Sequence, residues 1–150
     1  MADQGEDVRA IFALFNEIGI IEQLSRTLFQ SRLEDGLTVQ HFSVLNHLCR
    51  LGDGKTPMTL ARAFQVPKTT MSHTLAGLER RALVTLAPNP EDGRGKLVFI
   101  TEAGRQRRDT SIEALAPDIL RLLPQFTAEE ARALLPGLAK IRAILDESRN

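Results

Sequence analysis

The stretch from Leu60 to Val84 reads LARAFQVPKTTMSHTLAGLERRALV and decides the fold. A short helix is expected over about 57–65. It ends before Pro67, because the residue that precedes a proline disfavours the helical conformation. A second helix is expected over about 67–81, since Met71, Leu75 and Leu78 recur at the spacing of one helical face. Two helices joined by so tight a step predict a helix-turn-helix.

Two short apolar runs follow the second helix and predict a β-hairpin. The runs LVTLA at 83–87 and LVFI at 97–100 have the length of strands and flank a loop from Pro88 to Lys96. The loop carries Arg94 between two glycines, a sequence that a packed core would not accept. A basic hairpin directly after a helix-turn-helix predicts a winged helix-turn-helix over residues 37–104.

The helices before this motif are marked by their capping residues. Thr38 is expected to cap a helix over about 39–51, with Leu37 and Phe42 in the positions of a hydrophobic staple. Thr56 then caps the short helix, whose first position holds Pro57. The side chains that the first of these helices is expected to bury are Phe42, Leu45, Leu48 and Cys49.

Long amphipathic helices are expected at both ends of the chain. A wide apolar arc over 8–33 predicts a helix of about 39 Å at 1.5 Å per residue. After a cap at Thr101, a second long helix is expected to kink at Pro117, and Thr127 begins a last helix that runs to about residue 147. One winged unit cannot bury this much apolar surface, so a homodimer is expected.

Together the elements predict a mainly α fold with a small β-hairpin wing in one domain over residues 1–150. The winged helix-turn-helix spans about 37–104, and dimerisation helices span about 8–33 and 105–147. No apolar stretch approaches the length of a membrane span, and the acidic N-terminus has no signal-peptide core. The single cysteine excludes an intrachain disulfide and is typical of a reducing compartment, so a cytoplasmic location is expected.

Charge is segregated along the chain although its net value is zero. Residues 55–108 carry 10 Lys and Arg against 4 Asp and Glu, whereas residues 1–54 carry 4 against 8 and residues 109–150 carry 5 against 7. A basic segment of this kind attracts a polyanion. Because it coincides with the winged unit, double-stranded DNA is the expected partner.

The exposed face of the second helix, which is expected to be the recognition helix, supplies the candidate base contacts. Five residues in its first two turns have side chains suited to base edges, thymine methyl groups or phosphate: Lys68, Thr69, Thr70, Ser72 and His73. On the hairpin, Arg94 suits a narrow minor groove, and Lys96 is a further candidate DNA contact. Asp92 is expected to hold the arginine in place through an ion pair.

The stretch at 60–84, followed by NPEDGRGKLVFITEAG at 89–104, resembles the MarR family of bacterial transcription regulators. The likeness covers about residues 8–147 and is carried by Leu60-Ala61, by Asp92 and Arg94, and by ITEAG at 100–104. It implies a homodimer whose terminal helices interlock and whose two winged units bind a pseudo-palindromic operator. It also implies a repressor that is released by a small lipophilic or aromatic effector, and it implies no cofactor.

The chain departs from the family pattern at several positions. His73 stands where arginine is frequent, and Pro67 stands where the family often has a serine cap. Ala82 replaces the glycine that commonly follows the recognition helix. The histidine weakens any statement about base preference, whereas the other changes leave the expected architecture intact.

Two other functions stay open from the sequence. A winged helix can bind a protein in place of DNA, and a steep salt dependence of duplex binding would separate the two. Cys49 could act as a redox-sensing thiol, although a buried cysteine on an internal helix is usually inert. His41 and His47 have no Cys/His cluster near them and no enzyme motif is present, so neither a metal site nor catalysis is expected.

Overall fold

The computed structural model describes residues 3–149 and confirms a mainly helical fold with one antiparallel hairpin. The elements, in chain order, are α1 (Gln4–Arg32), α2 (Val39–Leu51), α3 (Pro57–Phe64), α4 (Lys68–Arg80), β1 (Val84–Asn89), β2 (Asp92–Ile100), α5 (Glu102–Glu113), α6 (Ala116–Leu122) and α7 (Ala128–Ser148). They form two compact units, one that ends at Ala114 and one that begins at Leu115. Across residues 3–149, none of the helices combines the length and the apolar character that a bilayer span requires.

The apolar face predicted for α4 packs into the core of the first unit. Met71, Leu75 and Leu78 are each at most 1% exposed. The same cluster takes in buried side chains from the neighbouring elements, among them Leu45, Leu48, Leu60, Val84 and Val98. Burial of one such side chain contributes about 1.5–3 kcal/mol, so this cluster fixes α4 firmly while its opposite face stays exposed.

Two residues of α2 are less buried than the sequence predicts. Phe42 and Cys49 are only partly buried, whereas Val44, which was not part of the prediction, is fully buried. The buried face of α2 is therefore centred nearer to Val44 than predicted, and Phe42 lies at its edge. The Phe42 ring packs edge-to-face on Phe29 of α1, with their centroids 4.5 Å apart.

Threonine side chains cap the starts of four helices. Each accepts a hydrogen bond from a backbone N–H in the first turn, and the four are Thr38 of α2, Thr56 of α3, Thr101 of α5 and Thr127 of α7. In α2 the cap is completed by His41, whose Nδ1 accepts a bond of 2.9 Å from the Thr38 N–H. Burial, together with the nearby charge of Arg81, lowers the pKa of His41 below its usual value, so the ring is neutral at pH 7 and can accept this bond.

The hairpin is longer than the sequence predicts. β1 extends to Asn89 and β2 begins at Asp92, so most of the loop expected over 88–96 belongs to strands. The prediction failed because the glycines and prolines, which usually interrupt strands, are here confined to a turn and to an irregularity in the register. At its base, the Val98 N–H donates to the Lys55 oxygen at 2.8 Å, which adds a third short segment to the hairpin.

The chain around Pro117 forms two helices, where the sequence predicts one kinked helix. α5 ends at Glu113, and α6 begins at Ala116 with Pro117 in its first turn. Proline has no N–H to donate and clashes with a preceding helical turn, so it is tolerated better at a helix start than inside a helix. Pro136, in contrast, lies inside α7, which continues on both sides of it.

The second residue after α4, the recognition helix, has a strained backbone. Ala82 has a φ of +57°, in the left-handed region that glycine adopts at little cost. We expect Ala82→Gly to raise the free energy of unfolding by about 1 kcal/mol in a urea titration. Ala133→Gly, within the exposed face of α7, should lower it by a similar amount. A loss of stability in Ala82→Gly would contradict the strained conformation.

Candidate nucleic-acid interface

The face of α4 that points away from the core carries the predicted base contacts. All five candidate side chains on this helix are exposed: Lys68, Thr69, Thr70, Ser72 and His73. The N-cap residue is Pro67, and within residues 3–149 no side chain caps this helix. The N–H groups of a first turn carry partial positive charge and favour an anion such as phosphate. The start of α4 therefore combines short polar side chains with an uncapped helix end.

The tip of the hairpin is built from two side chain to backbone turns. The Asn89 carboxamide oxygen accepts the N–H of Glu91 at 3.0 Å, and Asp92 Oδ1 accepts the N–H of Arg94 at 3.1 Å. Asparagine and aspartate form such turns readily because their short side chains reach the backbone two residues further on. These bonds fix the path of the chain just before and just after the turn.

Arg94 lies on a bulge of β2. In the register, Asn89 pairs with Asp92 and Pro88 pairs with Lys96, so residues 93–95 have no partner on β1. A bulge redirects the side chain that it carries and increases the local twist. A Cβ at position 95 would lie 3.3 Å from Asp92 Oδ2, so glycine allows the carboxylate to lie close to the bulge.

The contact between Asp92 and Arg94 differs from the one expected. The sequence predicts an ion pair with the guanidinium, but among the described residues the carboxylate bonds to the Arg94 backbone. The reason is geometric. The short aspartate side chain reaches the backbone N–H two residues ahead, whereas an ion pair would require the long arginine side chain to fold back onto the carboxylate. Asp92 therefore orients the backbone that carries Arg94, and the guanidinium remains exposed.

This geometry gives a prediction that separates two variants of one residue. Asp92→Asn keeps an oxygen that can accept the Arg94 N–H and should bind duplex DNA about as well as the wild type. Asp92→Ala removes a hydrogen bond worth about 1 kcal/mol and should weaken binding about fivefold. Fluorescence anisotropy with a labelled duplex measures both. Equal losses in the two variants would instead indicate that the charge of Asp92 acts on the guanidinium.

A groove of about 540 Å³ separates α4 from the wing and brings four of the predicted contacts together. Lys68 and Ser72 line it from α4, and Arg94 and Lys96 line it from β2. Its lining includes apolar side chains and three cations, of which Arg94 and Lys96 lie 26 and 28 residues after Lys68 in the sequence. The fold thus turns two separate basic segments into one basic surface. The predicted support residue, Asp92, lines the same groove.

Three predicted contacts lie outside the groove, and several lining residues were missed. Thr69, Thr70 and His73 are exposed on α4 but do not line it. Met58 of α3 and Glu79 of α4 do line it, and neither was predicted. The position of Glu79 was available from the sequence, because Ser72, Ala76 and Glu79 recur at helical spacing on one face.

The base of the wing is held by a residue that sequence reasoning also missed. Asp53 Oδ1 accepts the N–H of Ile100 at 2.7 Å, at the end of β2. Its second oxygen lies 3.4 Å from Nη2 of Arg105 in α5. No local pattern indicates this role, since the partners are 47 and 52 residues away. Asp53 therefore ties the turn after α2 to the hairpin and to α5.

A recognition helix with an exposed polar face, set beside a basic hairpin, defines the winged helix-turn-helix class of DNA-binding folds. Within residues 3–149, His, Cys, Asp and Glu side chains form no cluster of three that would hold a metal ion. Cys49, the candidate redox thiol, is partly buried on α2 and does not line the groove. The basic groove is the site that the geometry offers for a polyanion.

Comparisons with known proteins agree with this class. Residues 35–95 match the model of the MarR family. An uncharacterized HTH-type transcriptional regulator of Bacillus subtilis, YdgJ, is 28% identical over 83% of this chain and 70% of its own length. The transcriptional regulator BldR of Sulfolobus solfataricus is 27% identical with a TM-score of 0.75, over 95% of this chain and 99% of BldR. A mutant MarR of E. coli complexed with operator DNA is 27% identical with a TM-score of 0.68, over 88% of this chain and 95% of that one.

The chain is similar to transcription regulators of the MarR family, as its winged motif predicts. The matched residues include the whole of α2, α3, α4 and β1 and the start of β2 as far as Gly95. The match thus covers the recognition helix and the bulge that carries Arg94.

Proposed function

We propose that this chain is a homodimeric, sequence-specific regulator that binds a pseudo-palindromic duplex through α4 and the wing. The observation that carries the proposal is the groove that unites Lys68 and Ser72 of α4 with Arg94 and Lys96 of β2. A groove with cations on both sides fits a phosphate backbone that runs between a helix in the major groove and a hairpin beside it. The operator complex of the similar E. coli MarR mutant supports the choice of DNA.

Each part of the interface has its own role in this proposal. Thr69, Thr70, Ser72 and His73 contact base edges in the major groove, while Lys68 contacts phosphate at the start of the helix. On the wing, Arg94 enters the minor groove and Lys96 contacts the flanking backbone. Asp92 supports the arginine by fixing its backbone.

The homodimer is supported by the uncovered apolar surfaces of the terminal helices. None of the residues of α1 is buried, and Val8, Phe12 and Leu24 are 68–69% exposed. α7 likewise has no buried residue, and its Leu134 and Leu135 are 55% and 59% exposed. Apolar surface of this extent is rare on a monomer and is readily covered by a second, symmetry-related copy.

The regulatory part of the proposal is repression that a small lipophilic or aromatic effector relieves. It is supported by the similarity to the MarR family, and the chain's own residues do not define the effector. A screen of aromatic and lipophilic carboxylic acids tests it. The expected result is one or more compounds that raise Tm and weaken duplex binding together, and no shift in either quantity across the screen would contradict it.

Selection of bound fragments from a random duplex pool is the experiment that tests duplex recognition. The expected result is an enriched motif with two inverted half-sites about one helical turn apart, because two recognition helices related by a two-fold axis face the same side of the DNA. Recovery of an unenriched pool would contradict sequence-specific binding. No retention of the pool even at low salt would favour the alternative, a winged helix that binds protein.

A further inference from the structure

The turn between α1 and α2 has an unusual backbone conformation. Asp35 has a φ of +55° and Gly36 a φ of +69°, both in the left-handed region. Aspartate tolerates this conformation better than most residues, although it does so at a cost relative to glycine. Contacts from outside the turn therefore contribute to keeping it in this shape.

Arg81, the residue directly after the recognition helix α4, reaches this turn. Its guanidinium donates to the Asp35 backbone oxygen from Nε at 3.3 Å and from Nη2 at 3.1 Å, and to the Gly77 oxygen from Nη1 at 2.9 Å. A Cβ at position 36 would lie 3.3 Å from Nη2, so Gly36 leaves room for the guanidinium. The C-terminal end of α4 is thus bound to the turn that follows α1.

Arg107 of α5 binds the side chain of the same aspartate. Its Nη2 lies 3.0 Å from Asp35 Oδ2. Its Nη1 is buried and has no hydrogen-bond partner among residues 3–149. Asp35, Arg81 and Arg107, here named the Asp35 cluster, therefore join α1, α4 and α5 at one residue.

We propose that the Asp35 cluster positions the recognition helix relative to α1 and α5 and thereby sets the half-site spacing that the dimer accepts. The proposal rests on the homodimer and the duplex binding proposed above. α1 carries apolar surface for the partner copy, and α4 carries the base contacts, so the joint between them fixes where a recognition helix lies with respect to the two-fold axis. None of the three residues lines the groove, which makes them positioning residues and not DNA contacts.

The strength of the cluster suits this role. The Asp35 side chain is 69% exposed, and ion pairs at such sites contribute little to global stability. Loss of the Arg107 ion pair should therefore leave the fold intact, but it frees the turn to which Arg81 is bound and so loosens the orientation of α4. A dimer contains two Asp35 clusters. Loss of both should weaken binding to an operator with two half-sites, because both recognition helices must then be oriented at once. Binding to a single half-site should change little.

Asp35→Asn is the informative variant, because asparagine also tolerates positive φ and keeps the backbone oxygen that Arg81 binds. The duplex selected by the wild type is compared with its single half-site and with versions whose half-sites are one or two base pairs further apart. We expect Asp35→Asn to bind the selected duplex roughly threefold to tenfold more weakly and to lose less affinity than the wild type on altered spacings. Binding to the single half-site should stay within about twofold.

Two further variants sharpen the test. Asp109→Asn removes the same charge from a pair with Arg108 on α5 itself (Nη1 to Oδ1, 2.9 Å) and should behave as the wild type, since that pair joins no separate elements. Arg107→Gln should reproduce Asp35→Asn, and the double variant should lose no more than either single one, because both act through one contact.

Three results would overturn the inference while duplex binding stands. These are a wild-type spacing preference in Asp35→Asn, an equal loss on the full operator and the half-site, or a lower Tm that accounts for the loss. Selection of no duplex by the wild type would overturn the proposed function itself, and the role of the cluster with it.

Discussion

Gly104→Ala is expected to lower the free energy of unfolding by about 3 kcal/mol or more. A Cβ at this position would lie 2.2 Å from the backbone oxygen of Leu83 and 2.7 Å from Cγ1 of Ile100. The oxygen cannot move aside freely, because it accepts the N–H of Thr101 at 3.0 Å. The first turn of α5 would have to shift away from the base of the hairpin. The ITEAG sequence thus joins a strand end, a cap and a close helix contact.

Urea titration followed by far-ultraviolet circular dichroism measures this loss. Gly137→Ala is the matched control, because a Cβ there meets no atom within 4 Å of the described chain. It lies in α7, where alanine is favoured over glycine, so a gain of up to about 1 kcal/mol is expected. Equal stabilities of Gly104→Ala and the wild type would contradict the close approach of α5 to Leu83.

Leu24→Asp is expected to weaken the proposed dimer about a hundredfold or more. Leu24 is 68% exposed on α1, so the substitution costs the folded chain little beyond a small loss of helix propensity. In a two-fold interface the same change occurs twice, and each copy would place an unpaired charge in apolar surroundings. Sedimentation at micromolar concentration should show the wild type at twice the 16.6 kDa chain mass and the variant near one chain mass.

Ser25→Asp adds the same charge at the next residue, on an exposed polar position, and should leave the dimer in place. Operator affinity should fall together with dimerisation in Leu24→Asp, because a monomer can engage only one half-site at a time. A wild type that sediments as a folded monomer would contradict the dimer directly.

The helices of the winged unit could be predicted because their signals are local. A cap such as Thr38 or Thr56 bonds within its own first turn, and the spacing of Met71, Leu75 and Leu78 is a property of a single helix. These interactions involve residues three or four positions apart, so the sequence displays them directly. The recognition helix was accordingly placed to within a residue or so at each end.

The parts that could not be predicted depend on partners far away in the sequence, or on which of two possible donor groups a side chain bonds. The bond of Asp53 to β2 spans 47 residues and that of Asp35 to Arg81, just after α4, spans 46, and no periodicity indicates either. For Asp92, the sequence shows its proximity to Arg94 but cannot distinguish a bond to the guanidinium from a bond to the backbone. The glycines of the wing suggested a loop because their role in a bulge depends on the opposite strand.

The central claim, that the wing and the recognition helix contact DNA in different ways, is tested by duplex binding measured across salt concentrations. The logarithm of the wild-type affinity should fall linearly with the logarithm of salt concentration, with a slope of about −0.9 per phosphate contact. Arg94→Ala should weaken binding to most operator variants alike and reduce this slope by about one contact per wing. Ser72→Ala should keep the slope and relax preference at one or two base pairs by about 1–3 kcal/mol. If Arg94→Ala binds as the wild type does, with an unchanged slope, the hairpin is not a DNA-binding wing.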